Sequence, residues 1–177
     1  HLAERFGQPV VVENKPGAAG QIGVAEVAKG AADGHAVVLS SPGAAAINMH
    51  LRKLSYDPAA DLAAITPMAI IPTALAVNPA LPVNTLAEFI SYARERPGQL
   101  NFSISGVGSQ GHLAGELLKA RAGLSIQNIP FSGTAPATTA ILSGQVQAGI
   151  SDLTTLLPLA QDGRVRILAV VDAKRAQ

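Results

Sequence analysis

The sequence predicts an α/β fold in which a parallel sheet carries helices on both faces. Its most informative stretch is Leu100–Lys119, with the sequence LNFSISGVGSQGHLAGELLK. Apolar and polar residues alternate at its start, as in a strand, and a glycine-rich turn and leucines at helical spacing follow. The order strand, small-residue turn, helix recurs along the chain with short connections. Such alternation is typical of parallel strands joined by helices.

The composition excludes several classes of protein. The chain has 177 residues, of which 48% are hydrophobic and 14% are charged, and its formal net charge is +1. Lysine and arginine are scattered and there are only four Phe and two Tyr, so nothing supports nucleic-acid binding. The absence of cysteine excludes disulfides and a cysteine nucleophile. The longest apolar run, Ile65–Val77, is interrupted by Pro67 and Pro72, and we do not expect it to cross a membrane.

The first part of the chain predicts short elements separated by turns. We expect helices at residues 1–7, 21–29 and 44–50, strands at 9–13 and 36–39, and one or two buried strands within 65–77. The proline-rich segment Asn78–Pro82 is the expected crossing between two domains. The chain opens on the end of a helix without a signal peptide and closes just after a strand. We therefore expect both ends to lie within a longer protein.

The second part of the chain predicts a regular alternation of strands and helices. Thr85 or Asn84 is expected to cap a helix that runs to Arg96, with Glu88 at the spacing of a capping box. After the central strand, turn and helix, we expect strands at 126–131, 146–151 and 166–171. Helices are expected between them, at 136–142 and from 153 to about residue 159.

Ligands in such sheets bind beyond the carboxyl ends of the strands. The residues predicted at that edge are small or polar: Ser41, Gly43, Ser105, Gly106, Gly108, Ser109, Ser132, Gly133, Thr134 and Asp152. Because they include no Lys or Arg, an anion bound there must be held by N–H and hydroxyl donors. The alternative interpretation is structural, since Ser109, Thr134 and Asp152 are also residue types that cap helices.

Two enzymatic interpretations were weighed against these residues. Gly106, Gly108 and Gly111 have the spacing of a dinucleotide-binding turn, but no acidic residue ends the next strand to hold a ribose. Ser109 lies in a turn that resembles a hydrolase elbow, but Val107 stands where that motif needs glycine. No histidine follows Asp152, so a serine hydrolase triad is not supported. The nucleotide-binding enzyme remains the alternative function.

Five segments, in order, resemble the substrate-binding proteins of tripartite tricarboxylate transporters, also called Bug-type receptors. They are FGQPVVVENKPGAAGQIG, SYDPAADLAAITPMA, LNFSISGVGSQGHLAGELLK, IPFSGTAPATTAILSGQVQAGISD and GRVRILAVVDAKR. The resemblance implies an α/β fold like that of type II periplasmic binding proteins, with two lobes and a cleft, of which the first lobe is incomplete here. It assigns residues 1–78 to the first lobe, 79–168 to the second lobe and 169–177 to the start of the return crossing.

The resemblance also implies a function. The expected protein is an exported periplasmic receptor, not an enzyme, that captures a small carboxylate and delivers it to a membrane permease. It needs no cofactor or metal, binds no nucleic acid and does not insert into the membrane. The implied ligand-binding positions are Ser41, Gly43, Ala44, Ser105, Gly108, Ser109, Ser132, Gly133, Thr134 and Asp152. Members of the family often carry a second polar residue where this chain has Ala44–Ala46, which leaves the identity of the ligand open.

Overall fold

The computed structural model describes residues 2–172, and within them five strands form one mixed sheet. The strands are β1 (Thr73–Val77), β2 (Asn101–Ile104), β3 (Gln127–Pro130), β4 (Ala148–Asp152) and β5 (Arg166–Val170). They lie in the order β3-β2-β4-β1-β5. β2 runs parallel to β3 and β4, whereas β1 runs antiparallel to both of its neighbours, β4 and β5.

The direction of β1 corrects the prediction of a parallel sheet. Thr73 lies opposite Asp152 and Val77 lies opposite Ala148, so β1 begins at the edge where β4 ends. Alternation of strands and helices predicts the shared direction of β2, β3 and β4, because a helix joins each of them to the next. It carries no information about the direction of a strand that enters the sheet from another part of the chain.

Six α-helices accompany the strands within the part of the chain that the structure describes. They are α1 (Leu2–Phe6), α2 (Gln21–Ala28), α3 (Leu86–Arg94), α4 (Gln110–Ala122), α5 (Thr134–Leu142) and α6 (Leu153–Gln161). The predicted helix at 44–50 is present as a π-helical turn, Gly43–Ile47, followed by a 3-10 turn, Asn48–His50. No helix in this part of the chain combines the length and the apolar character that a membrane crossing requires.

The cap predicted for α3 is confirmed in detail. Thr85 Oγ1 accepts a hydrogen bond from the Glu88 N–H at 3.1 Å. The Glu88 carboxylate in turn accepts from the Asn84 N–H at 2.7 Å. Two backbone donors at the start of the helix are thereby satisfied, which fixes the point where α3 begins.

Helices cover both faces of the sheet, as predicted, and each face has its own core. Leu75 and Val77 pack with Phe89 and Phe102 on the face that α3 and α4 cover. Ala74 and Ala76 pack with Ile141 and Leu156 on the face that α5 and α6 cover. Successive residues of β1 therefore serve opposite cores, as the pleat of a strand requires. All five residues of β1 are buried, because this strand has a neighbouring strand on each side and a helical layer on each face.

Residues 2–72 contain no strand, and this corrects the strands predicted at 9–13 and 36–39. Val12 is 81% exposed and Leu39 is 80% exposed. Of the predicted apolar run 65–77, only the last five residues form a strand, while Ile70 is 94% exposed. A strand needs a neighbour for its backbone N–H and C=O groups, and these segments pair with none among the described residues. The small core of this region is built on Val24, Ala44 and Tyr56.

The position of β1 also bears on the predicted boundary between lobes. β1 precedes residue 78, yet it pairs with β4 and β5 in the sheet that the sequence analysis assigned to the second lobe. We therefore draw the proposed boundary before Thr73, where the chain enters the sheet. Of the segment 169–177, only the part up to residue 172 is described, and it contains the end of β5; residues 173–177 lie outside the described residues.

Candidate functional site

A cavity of about 270 Å³ lies between the carboxyl edge of β2, β3 and β4 and the loop Pro16–Gly20. Seven of the residues proposed from the sequence line it: Ser41, Ser105, Ser109, Ser132, Gly133, Thr134 and Asp152. Ser105 follows β2, Ser132 follows β3 and Asp152 ends β4. The parallel direction of these three strands is what brings the residues to one place, as expected for the ligand-binding edge of an α/β sheet.

Gly43, Ala44 and Gly108 do not line the cavity. Ala44 is fully buried, and its carbonyl accepts a hydrogen bond from the Tyr56 hydroxyl at 2.8 Å. A Cβ atom added to Gly43 would lie 3.1 Å from the carbonyl oxygen of Gly108. These residues therefore pack the turn after β2 against the turn at Gly43, and they support the wall of the cavity from behind.

At Gly108, a buried side chain occupies the space that a larger residue would need. A Cβ atom on Gly108 would lie 1.9 Å from Oδ1 of Asn48, and the residue has a φ of +84°. Asn48 is completely buried, and its Nδ2 donates to the Gly43 carbonyl at 2.7 Å and to the Gly108 carbonyl at 3.4 Å. The space next to Gly108 is thus filled by this asparagine.

The structure adds lining residues that the sequence analysis missed. Pro16, Gly17, Ala19 and Gly20 form the loop that faces the sheet edge, and Thr73 lies beside Asp152. The remaining additions are neighbours of proposed residues, namely Gln110, Gly111, Ile150 and Ser151. The Pro/Gly-rich composition of 16–20 was a usable signal for the loop. Thr73 had no such signal, because its place depends on the antiparallel pairing of β1.

Four helices begin at the wall of this cavity. The residues before their first turns all line it: Gly20 before α2, Ser109 before α4, Gly133 before α5 and Asp152 before α6. The first N–H groups of a helix have no partner within the helix, and the helix dipole places a partial positive charge there. Among residues 2–172, no Lys, Arg or His lines the cavity. The positive potential at this site therefore comes from backbone groups.

Ser109 both caps a helix and lines the cavity. Its Oγ accepts a hydrogen bond from the His112 N–H at 3.2 Å, which confirms the structural interpretation of this residue. The Nδ1 of His112 accepts from the Gly108 N–H at 3.1 Å, and its Nε2 lies 3.8 Å from the Glu116 carboxylate. This arrangement fixes the shape of the turn. The hydroxyl proton of Ser109 remains available as a donor toward the cavity, because the cap uses only its oxygen as acceptor.

Asp152 does not cap its helix, although it stands at the capping position of α6. Its side chain accepts no capping hydrogen bond and makes no ion pair within the part of the chain that the structure describes. Burial raises the pKa of the Asp152 carboxyl above its ordinary value. Asp152 is thus partly withdrawn from water and lines the cavity without a partner among the described residues.

A family model for the tripartite tricarboxylate transporter family receptor matches residues 1–177, the whole chain. The chain belongs to this receptor family. Protein BugT of Bordetella pertussis is 37% identical to this chain over 177 residues. That match covers 99% of this chain and 54% of BugT, so the chain spans about half the length of this curated relative.

Several solved structures resemble the chain closely. An R. palustris protein with adipate has a TM-score of 0.93 and 39% identity, covering 98% of this chain and 58% of its own. MatC from Rhodopseudomonas palustris with bound malate has a TM-score of 0.87 and 31% identity, covering 98% and 60%. The periplasmic binding protein BugD has a TM-score of 0.87 and 28% identity, covering 98% of this chain and 58% of its own, and this similarity confirms the expected fold. The family is one of receptors, and the alternative of a nucleotide-binding enzyme finds no support in it.

Proposed function

We propose that the protein to which this chain belongs is a periplasmic receptor that binds a small carboxylate for a tripartite transporter. One observation supports this above the others. The starts of four helices and several hydroxyl-bearing residues line one cavity, and none of residues 2–172 contributes a cationic side chain to it. Such a site attracts an anion through N–H and O–H donors, and a carboxylate accepts several of them at once.

The proposed position of the carboxylate is against the turns Ser105–Ser109 and Ser132–Thr134. The N–H groups that open α4 and α5 and the hydroxyls of Ser132 and Thr134 would donate to its oxygens. A hydrogen bond to a charged partner contributes about 1.5–3 kcal/mol, so three or four of them support micromolar binding after the costs of association. The cavity of 270 Å³ suits a ligand with few carbon atoms.

The class of ligand is proposed from the relatives. One structural relative is described with adipate and another with bound malate, and both ligands are small dicarboxylates. We propose the same class here. The proposed partners are the membrane permease subunits of such a transporter. We also propose that ligand binding moves the region before Thr73 onto the sheet edge. The loop Pro16–Gly20 of that region already lines the cavity.

We also propose that the protein performs no catalysis on this ligand. Among residues 2–172, no group of three His, Asp or Glu side chains is arranged to hold a metal ion. The oxygen of Ser109 accepts from a backbone N–H, and the imidazole of His112 accepts from Gly108 instead of activating that serine. Turnover of generic esters that disappears in Ser109→Ala would contradict this proposal.

The test is calorimetric titration of the whole protein with adipate and malate, and with NAD and ATP. We expect micromolar binding of a dicarboxylate and none of the nucleotides. Adipamide, which has the same carbon skeleton without the charges, is the ligand control and should not bind. Thr134→Ala should weaken dicarboxylate binding about tenfold, the loss of one such hydrogen bond.

A matched control variant exists on the same helix. Thr139 of α5 is exposed, and its hydroxyl donates to the Ala135 carbonyl at 3.1 Å, away from the cavity lining. Thr139→Ala should bind as the parent does. Equal binding by the parent and Thr134→Ala would place the carboxylate elsewhere, and binding of NAD or ATP in preference to every dicarboxylate would overturn the proposed function.

A further inference from the structure

Two polar side chains of residues that line the cavity have no hydrogen-bond partner among the described residues. Thr73 is only 3% exposed, and its Oγ1 is buried with no hydrogen-bond partner among the described residues. Asp152 is half-buried, and its carboxylate accepts no hydrogen bond within residues 2–172. Antiparallel pairing of β1 and β4 places these two residues directly opposite each other. Both line the cavity.

Leaving such groups unpaired is unfavourable. A buried polar group without a partner costs about 1–3 kcal/mol relative to one that is satisfied, and more if it is charged. Most buried polar groups in proteins are therefore paired. An Asp at the start of a helix ordinarily accepts from an N–H of the first turn, yet Asp152 does not. Both side chains therefore lack, within residues 2–172, a partner that a ligand in the cavity could supply.

The chemistry of Thr73 and Asp152 restricts which group of a ligand can bind beside them. An ionised carboxylate only accepts hydrogen bonds, and a threonine hydroxyl can accept one and donate one. A second carboxylate placed against Asp152 would be repelled, since no Lys, Arg or His within residues 2–172 lines the cavity to separate two negative charges. The part of the ligand that meets this pair must therefore be a hydrogen-bond donor.

We propose that Asp152 and Thr73 form a subsite for a hydroxyl or ammonium group of the ligand. This inference rests on the proposed carboxylate receptor and sharpens it: the carboxylate lies against the helix starts of α4 and α5, and the donor group beside it meets Asp152. The preferred ligand is then a hydroxy- or amino-substituted dicarboxylate, and the unsubstituted acid with the same skeleton binds more weakly.

The experiment compares ligands that differ in one group. Succinate, malate and aspartate share a four-carbon skeleton and carry hydrogen, hydroxyl or ammonium at one carbon; adipate and 2-aminoadipate form a six-carbon pair. The five are titrated calorimetrically into the whole protein. We expect at least one substituted acid to bind about tenfold or more tightly than its unsubstituted counterpart, because one charge-assisted hydrogen bond is gained.

Variants assign that preference to the pair. Asp152→Asn should remove most of the preference and raise the affinity for the unsubstituted acid, because a negative charge has been taken from the cavity. Thr73→Val keeps the shape of a β-branched side chain and should reduce the preference about threefold to tenfold. Asp162→Asn is the control, since Asp162 ends α6 at its other terminus and does not line the cavity.

The outcomes separate this inference from the proposed function. If unsubstituted and substituted acids bind the parent equally, the subsite is absent while the carboxylate receptor stands. An unchanged preference in Asp152→Asn and Thr73→Val also overturns the subsite, because the donor is then recognised elsewhere. If none of the five acids binds, the carboxylate receptor fails and the subsite fails with it. Circular dichroism of each variant confirms that the fold is intact.

Discussion

Residues 2–72 and 73–172 solve the problem of burying apolar side chains very differently. In the second region, every residue of β1 is buried between two helical layers, and Phe89 stacks on Phe102 with ring centroids 5.9 Å apart. In the first region, Val12 and Ile70 are 81% and 94% exposed, although their neighbours in sequence are as apolar as β1. Local sequence sets the preference for a strand, but only a neighbouring strand and a covering helix convert that preference into burial.

The two regions meet at the turn after β2. Asn48 donates to the Gly108 carbonyl at 3.4 Å and Arg52 donates to the Val107 carbonyl at 2.8 Å. A Cβ atom on Gly106 would lie 3.1 Å from the backbone nitrogen of Ala19. The joint, that is, the contact between the two regions, thus consists of closely approaching backbone atoms and the polar side chains of Asn48 and Arg52. Because the same turn forms a wall of the cavity, the joint and the candidate site depend on one another.

The contrast predicts association of the 177 residues studied by themselves. Exposed apolar segments that lack paired backbone groups favour contacts between chains. We expect light scattering to show oligomers at micromolar concentration. Val12→Lys combined with Ile70→Lys should reduce the association, because the charges oppose burial of those segments. A monodisperse monomer of the parent chain would contradict the exposure that distinguishes the first region.

A matched pair of isoleucines measures the same contrast energetically. Ile141 is completely buried under the sheet, whereas Ile70 is 94% exposed. In the 177-residue chain, Ile141→Ala should lower the free energy of unfolding by about 2–5 kcal/mol, the usual cost of such a truncation in a core. Ile70→Ala should change it by less than about 0.5 kcal/mol. Urea unfolding at low protein concentration gives both values, and equal values would remove the distinction between the regions.

A glycine pair tests the joint between the regions. Gly108 and Gly123 both have positive φ, +84° and +65°, but only Gly108 has atoms where a Cβ would stand. Gly123→Ala should cost about 1 kcal/mol, the conformational penalty alone. Gly108→Ala should cost about 2–4 kcal/mol, because Asn48 must also move within a packed interior. Denaturant unfolding of the whole protein provides the comparison. Similar losses of unfolding free energy in the two variants would mean that Asn48 can move aside at no energetic cost.

His112 tests how firmly that turn is held. Its Nδ1 accepts a hydrogen bond from the N–H of Gly108, and Gly108 is buried. His112→Phe should lower the free energy of unfolding by about 1–3 kcal/mol, since the N–H loses its partner. His112→Asn, whose side-chain oxygen can accept in place of the imidazole nitrogen, should recover much of the loss. Amide hydrogen exchange at Gly108 follows the hydrogen bond directly, and an unchanged exchange rate in His112→Phe would show that it contributes nothing.

The sequence predicts the site residues that follow the parallel strands, but not the residue that the antiparallel strand β1 places there. Ser105, Ser132 and Asp152 could be predicted at the site, because each follows a strand of the parallel set and such strands end at one edge. Thr73 could not, because its neighbour Asp152 lies 79 positions away and is set by an antiparallel pairing that has no local signature. Gly108 was predicted as a ligand contact because a small residue in a turn is compatible both with a ligand and with a buried asparagine.

The smallest expected effect is electrostatic and concerns Asp152 in the absence of ligand. Burial raises the pKa of its carboxyl in the folded protein above the value in the unfolded chain. The folded state therefore binds more protons than the unfolded state in the pH range between these two pKa values. Stability contributed by this group is greatest below the unfolded pKa and declines as the pH rises through the folded pKa.

Asp152→Asn isolates that contribution. The free energies of unfolding of the parent and the variant should converge at pH values below the ordinary pKa of an aspartate, where both side chains are neutral. Their difference should grow in favour of the variant as the pH rises, and it should stay constant above the folded pKa. Unfolding curves of the whole protein at a series of pH values, without ligand, measure this difference. A parent that is more stable than the variant at neutral pH would contradict this prediction. The start of α6 would then stabilise the Asp152 carboxylate, as it does in an ordinary helix cap.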